Sequence, residues 1–115
     1  EHIRADYGDL DHLRQLADIR QANEPLRRGQ QLEMWVDPKV YAFARRTSDQ
    51  ENIVIINNDD QSSQRDIPLR VGSPLQEGQL LEDALSKRQF RIENGHLHVD
   101  LAARSGLILV PASQG

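Results

Sequence analysis

Four consecutive β-branched residues constrain this chain more than any other feature of its sequence: Ile53, Val54, Ile55 and Ile56. β-Branched side chains favour strands, and a polar cluster at residues 59–64 bounds the run at the length of a short strand. Successive side chains of a strand point to opposite faces of a sheet, so this strand is apolar on both faces. The sequence therefore predicts a strand with a core on one face and a second cover on the other.

Length and composition narrow the possible classes of protein. A chain of 115 residues has room for one domain with its own hydrophobic core. The absence of cysteine excludes disulfides and thiolate metal sites and is compatible with any cellular compartment. A formal net charge of -4 without a basic stripe argues against a nucleic-acid partner. No apolar run approaches the roughly 20 residues of a membrane span. Because the chain starts at Glu1, we expect its first residue to be a cut end of a longer protein.

The hydrophobic periodicity changes once along the chain. Apolar residues first recur every three or four positions, which predicts an amphipathic helix over residues 9–23 that ends before Pro25. Beyond Gly29 the period is two, as in strands. About eight short alternating or continuous apolar runs follow, separated by turn residues. The pattern predicts a mainly β fold, an antiparallel Greek-key β-sandwich of about eight strands with one N-terminal helix.

Two hairpins are predicted from turn residues. Asn94 and Gly95 lie between alternating runs and form a strong hairpin signal, because both positions of this turn require positive φ. A two-residue loop then places Ile92 opposite Leu97, with the apolar pairs on one face. Turn chemistry at residues 37–39 predicts the other hairpin. The alternating apolar positions of its first strand are Leu32, Met34 and Val36.

The aromatic side chains of this second hairpin are candidate ligand contacts. Trp35, Tyr41 and Phe43 are predicted to face one side of it. Because aromatic rings stack on sugar faces, Trp35 and Tyr41 are candidate carbohydrate-binding residues. The alternative is that the three rings belong to the core or to a domain interface.

The polar residues predict no catalytic site, metal site or cofactor. The acidic pairs at residues 59–60 and 82–83 could in principle supply a general acid and a general base, but adjacent residues of an extended chain point apart, and solvated surface is the interpretation that we favour. His96 and His98 share a strand face, as two metal ligands would. A third ligand at matching spacing is missing, and Arg91 is predicted opposite His98, so cross-strand polar contacts are favoured.

Several segments in order resemble one enzyme family. Residues 13–20 and 25–29 resemble the last barrel helix and exit loop of the α-amylase family, glycoside hydrolase family 13. Residues 40–45 and 53–58 resemble the second and third strands of its C-terminal β-sandwich. Residues 83–86 resemble its D-L-L-S-G turn, with Lys87 in place of the usual glycine, and residues 104–109 resemble its closing strand. The similarity is greatest to the neopullulanase, cyclomaltodextrinase and maltogenic amylase branch.

The resemblance implies a domain rather than an enzyme. Family members cleave or transfer α-glucosidic bonds with two aspartates and a glutamate on a (β/α)8 barrel, which would precede residue 1. Residues 1–28 would then be a helical segment from the end of that barrel, and residues 29–115 the sandwich domain. The expected role is a non-catalytic domain that packs against the barrel and stabilises it. Alternatives are a starch-binding module that uses Trp35 and Tyr41, and a generic interaction domain that uses the exposed helix face.

Overall fold

The chain folds as two short helices followed by eight strands. The computed structural model describes the backbone of residues 9–112 and the side chains of residue 15 and residues 17–112. The helices are α1 (Asp9–Ala22) and α2 (Glu24–Arg28). The strands are β1 (Gln30–Val36), β2 (Val40–Arg46), β3 (Glu51–Asn57), β4 (Ser63–Pro68), β5 (Leu80–Asp83), β6 (Gln89–Glu93), β7 (His96–Leu101) and β8 (Gly106–Pro111).

All strand pairs are antiparallel, and the strands follow the order β1-β2-β3-β8-β5-β6-β7-β4. The sheet curls until its edge strands β1 and β4 lie side by side, so it is nearly closed. Strands β5, β6 and β7 are consecutive neighbours, and β4 lies beside β7 in a Greek-key arrangement. The predicted mainly β fold of eight antiparallel strands is confirmed.

The predicted helix over residues 9–23 is divided into α1 and α2. The break falls at Asn23, whose side-chain amide donates to the carbonyl oxygen of Ile19 at 2.8 Å. Pro25 lies in the first turn of α2, where a helix tolerates the missing amide proton. Pro25 therefore begins a new helix instead of only ending the first one. The predicted apolar stripe at Leu10, Leu13 and Leu16 lies outside the described side chains.

A β-bulge in β1 reverses the face of two predicted side chains. The register with β2 shifts between Glu33 and Trp35, which leaves Met34 as the extra residue. Beyond it, Trp35 pairs with the buried Ala42 and contacts the core, whereas Val36 is 60% exposed. The prediction that Val36 is an inward residue was wrong, because the bulge shifts the alternation by one position.

The alternation of Ile67, Leu69 and Val71 predicts a strand over these residues, with Pro68 indicating a sheet edge, and β4 is displaced from that prediction. It begins at Ser63 and ends at Pro68, and its position at the sheet edge agrees with the expectation for proline. The amide of Leu69 donates to the turn between β6 and β7 instead of to a strand. Val71 lies in a turn and is 96% exposed, so its predicted strand position was wrong.

The core lies inside the curled sheet, which confirms the prediction that one face of the 53–56 strand packs on a core. Ile53 and Ile55 are fully buried there. They pack with inward residues of the other strands, including Leu81, Ile92, Leu97 and Leu109. One buried carboxylate, that of Glu51, accepts hydrogen bonds from Arg46 Nε at 2.7 Å and Ser73 Oγ at 3.1 Å. The charge of Glu51 is therefore compensated at the end of the curled sheet, next to the loop of residues 69–75.

The predicted Asn94–Gly95 hairpin is confirmed. Asn94 has φ 54° and Gly95 has φ 72°, and the ladder pairs Ile92 with Leu97 as expected. The ladder between β6 and β7 consists of this pair and Glu93–His96, and residues 89–91 of β6 pair with β5. Arg91 is therefore not held opposite His98 in the ladder, and its guanidinium donates to the carbonyl oxygen of Gly78 at 2.8 Å.

Candidate docking surface

The outer face of β2, β3 and β8, together with the end of β1, carries an apolar surface that we call the outer patch. In the register, Tyr41 is beside Ile56, and Phe43 is beside Val54, which is beside Ile108. These residues are half-buried except Ile56, which is 38% exposed. The members of the outer patch are Val36, Tyr41, Phe43, Val54, Ile56, Leu85 and Ile108.

A groove runs through the outer patch between β3, β8 and the turn after β5. It has a volume of ≈ 440 Å³, and its walls include Val54, Ile56, Leu85 and Ile108. Arg104 and Ser105 supply polar groups at its end. Outward apolar side chains at this density on neighbouring strands are typical of a face that another element covers.

The helical segment does not provide the cover predicted for this face. Helix α2 packs on β2 and β3 at the end opposite the groove, where Gly29 touches the backbone of Arg45 and Arg46. Pro25 and Asn23 border a separate polar cavity there. Among the described residues of α1, Ala17 is exposed and Ile19 is half-buried. The sequence leaves two candidate covers for the outer face of the 53–56 run, the 9–23 helix and a barrel that precedes residue 1, and the described residues of the helix lie away from this face.

The outer surface of the curled sheet is polar on the side formed by β4, β6 and β7. Strands β4, β6 and β7 turn charged and amide side chains to solvent, including Gln64, Asp66, Glu93, His98 and Asp100. Alternation of buried and exposed positions is regular in β6 and β7, as in a sheet with one solvated face. The two sides of the outer surface of the sheet therefore differ in polarity, and the outer patch is the apolar side.

The structure separates the two candidate carbohydrate-binding residues. The bulge at Met34 directs Trp35 toward the core, where its indole nitrogen donates to Asp37. Tyr41 lies on the outer patch against Phe43, with ring centroids 5.5 Å apart and planes inclined by 38°. The prediction that Trp35, Tyr41 and Phe43 share one side of the hairpin was wrong, because the bulge changes the face of Trp35 alone.

Asp37 links the β1–β2 turn to β4. Its carboxylate accepts from Arg65 Nε at 2.8 Å, from Trp35 Nε1, and from the backbone amides of Lys39 and Val40 at 2.8 and 2.9 Å. Hydrogen bonds from Arg65 and then Trp35 hold the pKa of Asp37 far below its usual range. This carboxylate is therefore a structural group at the seam of the curled sheet, where the edge strands β1 and β4 lie side by side.

Three of the four acidic residues considered for catalysis, at positions 59, 60 and 83, make defined contacts within the fold. Asp83 is buried and accepts from Ser86 Oγ at 2.6 Å and from the amide of Ile108 at 2.9 Å. Burial alone would raise its pKa, but the hydrogen bonds from Ser86 and Ile108 outweigh burial and lower the pKa. Asp59 and Asp60 lie in a turn and form ion pairs with Lys39 and Arg104 respectively.

His96 and His98 line a polar cavity of ≈ 260 Å³ with Asp66 and Glu93. His96 Nδ1 lies 2.8 Å from the carbonyl oxygen of Asn94, at the hairpin turn. Within residues 15 and 17–112, no group of three or more histidine, aspartate or glutamate side chains is arranged to hold a metal ion.

Neither described helix is long and apolar enough to cross a membrane.

Comparisons with known proteins agree on one kind of domain. The sequence profile of the family described as "Alpha amylase, C-terminal all-beta domain" matches residues 35–112. The Beta/alpha-amylase of Paenibacillus polymyxa is 32% identical over 105 residues, which are 90% of this chain and 8% of that protein.

Solved structures show the same fold within larger proteins. The α-amylase of Geobacillus thermoleovorans, complexed with acarbose, superposes with a TM-score of 0.81 at 18% identity over 100% of this chain and 25% of its own. The native debranching enzyme of Nostoc punctiforme superposes with a TM-score of 0.68 at 31% identity over 84% of this chain and 20% of its own. The chain thus spans a quarter or less of the proteins that it resembles here.

Proposed function

Because this chain belongs to the family of α-amylase C-terminal all-β domains, we propose that it packs against the catalytic barrel of an α-glucan-active glycoside hydrolase and stabilises that barrel. Domains of this family are non-catalytic, and the catalytic residues of the corresponding hydrolases lie in a separate barrel domain. The proposal concerns the parent protein, its substrate and the contact between its domains. The branch predicted from the sequence, that of neopullulanase and its relatives, stays a prediction.

The outer patch is the observation that supports this proposal. A sheet whose whole outer surface is exposed to solvent would carry polar side chains there, as β4, β6 and β7 do. The outer patch instead presents aliphatic and aromatic groups on four adjacent strands, together with Leu85 from the turn after β5. Burying such groups against another domain removes apolar surface from water, which stabilises both partners of the contact.

The helical segment supports the same arrangement through its position. Residues 1–28 precede the first strand, and α2 in this segment packs at one end of β2 and β3. We assign this segment to the end of the barrel and residues 29–115 to the β domain. Helix α1 would then pack on barrel elements, and α2 would fix the angle at which the β domain leaves the barrel.

The contact between the β domain and the barrel can be tested in the parent protein by introducing one carboxylate on the outer patch and one on the polar side of the β domain. Ile56→Asp introduces a carboxylate into the outer patch, and His98→Asp makes a matched change on the polar face. We expect Ile56→Asp to lower the melting temperature of the parent's barrel, because burying an unpaired carboxylate in an apolar contact is unfavourable. His98→Asp should leave that temperature nearly unchanged.

The isolated chain supplies the control for intrinsic folding. His98→Asp should melt close to the wild-type chain there, and Ile56→Asp should lower the melting temperature less than it does in the parent, because Ile56 is 38% exposed in the absence of a partner. The isolated chain should also show no turnover of starch, pullulan or cyclodextrins. Equal effects of the two substitutions in the parent, or turnover by the isolated chain, would contradict the proposal.

Carbohydrate contact by Trp35 and Tyr41 is a second candidate function. The half-buried Tyr41–Phe43 pair on the outer patch favours it, since aromatic rings stack on sugar faces. Trp35 lies on the inner face and could report on binding only through Asp37 and the adjacent turn. Titration of maltooligosaccharides against tryptophan fluorescence tests the candidate, with Tyr41→Ala as the variant and Trp35→Phe, which removes the one tryptophan of the chain, as the blank. A signal that is identical in wild type and Tyr41→Ala would remove Tyr41 as a contact.

A further inference from the structure

The turn between β6 and β7 presents an asparagine next to a glycine at the surface. Asn94 and Gly95 are both exposed, and both have positive φ, as the tight two-residue turn requires. Gly95 has no side chain, and a Cβ at this position would meet nothing within 4 Å. The Asn94–Gly95 pair is therefore exposed at the tip of the turn, and the space beside the Gly95 Cα is open.

Glu77 holds this turn from a distant part of the chain. One oxygen of its carboxylate accepts from the amide nitrogen of Asn94 at 2.7 Å, and the other accepts from the amide nitrogen of Gly95 at 3.0 Å. Two successive backbone amides of a turn form a concave anion-binding site of this kind. Glu77 is exposed, so this contact is not required to compensate a buried charge.

We propose that Asn94 is a site of spontaneous deamidation and that Glu77 sets the rate. In this reaction hydroxide takes the proton from the Gly95 nitrogen, which then bonds to Cγ of Asn94. Nδ2 takes a proton from water, which regenerates hydroxide, the bond from Cγ to Nδ2 breaks, ammonia leaves, and a five-membered succinimide remains. Water opens the ring at one of its two carbonyls and yields aspartate or its β-linked isomer, without any oxidant or cofactor.

The Glu77 carboxylate opposes the first step. Its oxygen accepts the Gly95 N–H, and removal of that proton would leave an anion beside a carboxylate, which Coulomb repulsion disfavours. The same contact keeps the turn in one conformation, while attack on Cγ needs the Asn94 backbone to rotate. Once deamidation has occurred, the new carboxylate at position 94 lies near Glu77, and their repulsion loosens the contact that slowed the reaction.

The rate is measured by peptide mass mapping of the folded 115-residue chain during incubation in mildly alkaline buffer at physiological temperature. A peptide of residues 88–101 provides the rate without the Glu77 contact. We expect Asn94 in the wild-type chain to deamidate several-fold more slowly than in the peptide. Glu77→Ala should raise the rate several-fold toward that of the peptide, and Glu77→Gln, which keeps one acceptor oxygen without the charge, should give an intermediate rate.

Glu93→Gln is the matched control, since Glu93 is an exposed carboxylate that directly precedes Asn94. It should leave the rate close to that of the wild type. Circular dichroism on each variant shows whether the fold is kept, and the Gln variant carries the test if Glu77→Ala unfolds. The proposal is overturned if the wild-type chain reacts as fast as the peptide, or if the Glu77 variants change the rate no more than Glu93→Gln does.

Discussion

Asp37 and Arg65 join the two edges of the sheet although 28 positions separate them in the sequence. Asp37 follows β1, and Arg65 lies in the middle of β4. The guanidinium donates through Nε at 2.8 Å and through Nη2 at 3.4 Å. A second arginine, Arg70, donates to the carbonyl oxygen of Glu33 in β1 at 2.8 Å. Side chains therefore join β1 and β4 where no backbone ladder is found among the described residues.

Removing the charge of Asp37 should destabilise the β domain measurably. We expect Asp37→Asn to lower the free energy of unfolding by about 2 kcal/mol, because it weakens charge-assisted hydrogen bonds to Arg65 and Trp35 in a partly buried site. Urea unfolding followed by tryptophan fluorescence measures the change. Asp60→Asn is the matched control, since its ion pair with Arg104 is exposed and should contribute less than about 0.5 kcal/mol. Equal losses in the two variants would refute a special role for the seam.

Acid should destabilise the chain through its hydrogen-bonded aspartates. The pKa of Asp37 is held below its usual value of 3.8 by Arg65 and Trp35, and that of Asp100 is lowered by Arg88. A carboxyl group with a lower pKa in the folded state stabilises the fold above its unfolded pKa and loses this contribution as pH falls. We therefore expect the free energy of unfolding to decline below about pH 4. The decline should be shallower in Asp37→Asn, and an equally steep decline in that variant would contradict the assignment.

Lys87 occupies a backbone conformation that suits glycine. Its φ is 70°, and its amide donates to the carbonyl oxygen of Asp83 at 2.8 Å, closing the turn after β5. The turn thus keeps the left-handed conformation although lysine replaces the glycine usual in the resembled motif. Lys87→Gly should raise the free energy of unfolding by about 1 kcal/mol, because glycine has no Cβ to strain there. Lys87→Ala, which keeps a Cβ, should not do so, and thermal melting of the two variants separates the cases.

Gly29 is required for the close approach of the helical segment to the sheet. A Cβ at this position would lie 2.5 Å from the carbonyl oxygen of Pro25 and 2.8 Å from the backbone nitrogen of Arg46. Gly29→Ala should therefore destabilise the chain by about 1–3 kcal/mol through displacement of backbone atoms. The exposed neighbour Gln30 provides the comparison, and Gln30→Ala should be close to neutral. Calorimetric melting curves that coincide for the two variants would argue against this contact.

Local signals predicted much of the fold, whereas contacts between distant segments escaped prediction. The Asn94–Gly95 turn and the 53–56 run were identified from residue type and alternation alone, because each depends on its own backbone. The bulge at Met34 was missed because Leu32, Met34 and Val36 alternate without interruption in the sequence. Bulges of this kind are common at barrel rims, and this one lies in the strand that approaches β4.

The candidate site shows the same division. The outer apolar face of β3 was predicted from Val54 and Ile56, since a doubly apolar strand needs a cover on each side. Ile108 and Leu85 could not be added, because the sequence does not reveal that β8 pairs with β3 or that the turn after β5 borders the groove. The separation of Trp35 from Tyr41 likewise depends on the bulge.

The docking of the outer patch on a barrel is tested most directly by hydroxyl-radical footprinting of the same residues in two contexts. Oxidation of Tyr41, Phe43 and Ile56 is compared between the isolated chain and the full parent protein, with His98 on the polar face as the internal reference. We predict that the three outer-patch residues are reactive in the isolated chain and strongly protected in the parent, while His98 reacts equally in both. Equal reactivity of the outer patch in the two contexts would contradict the proposed contact.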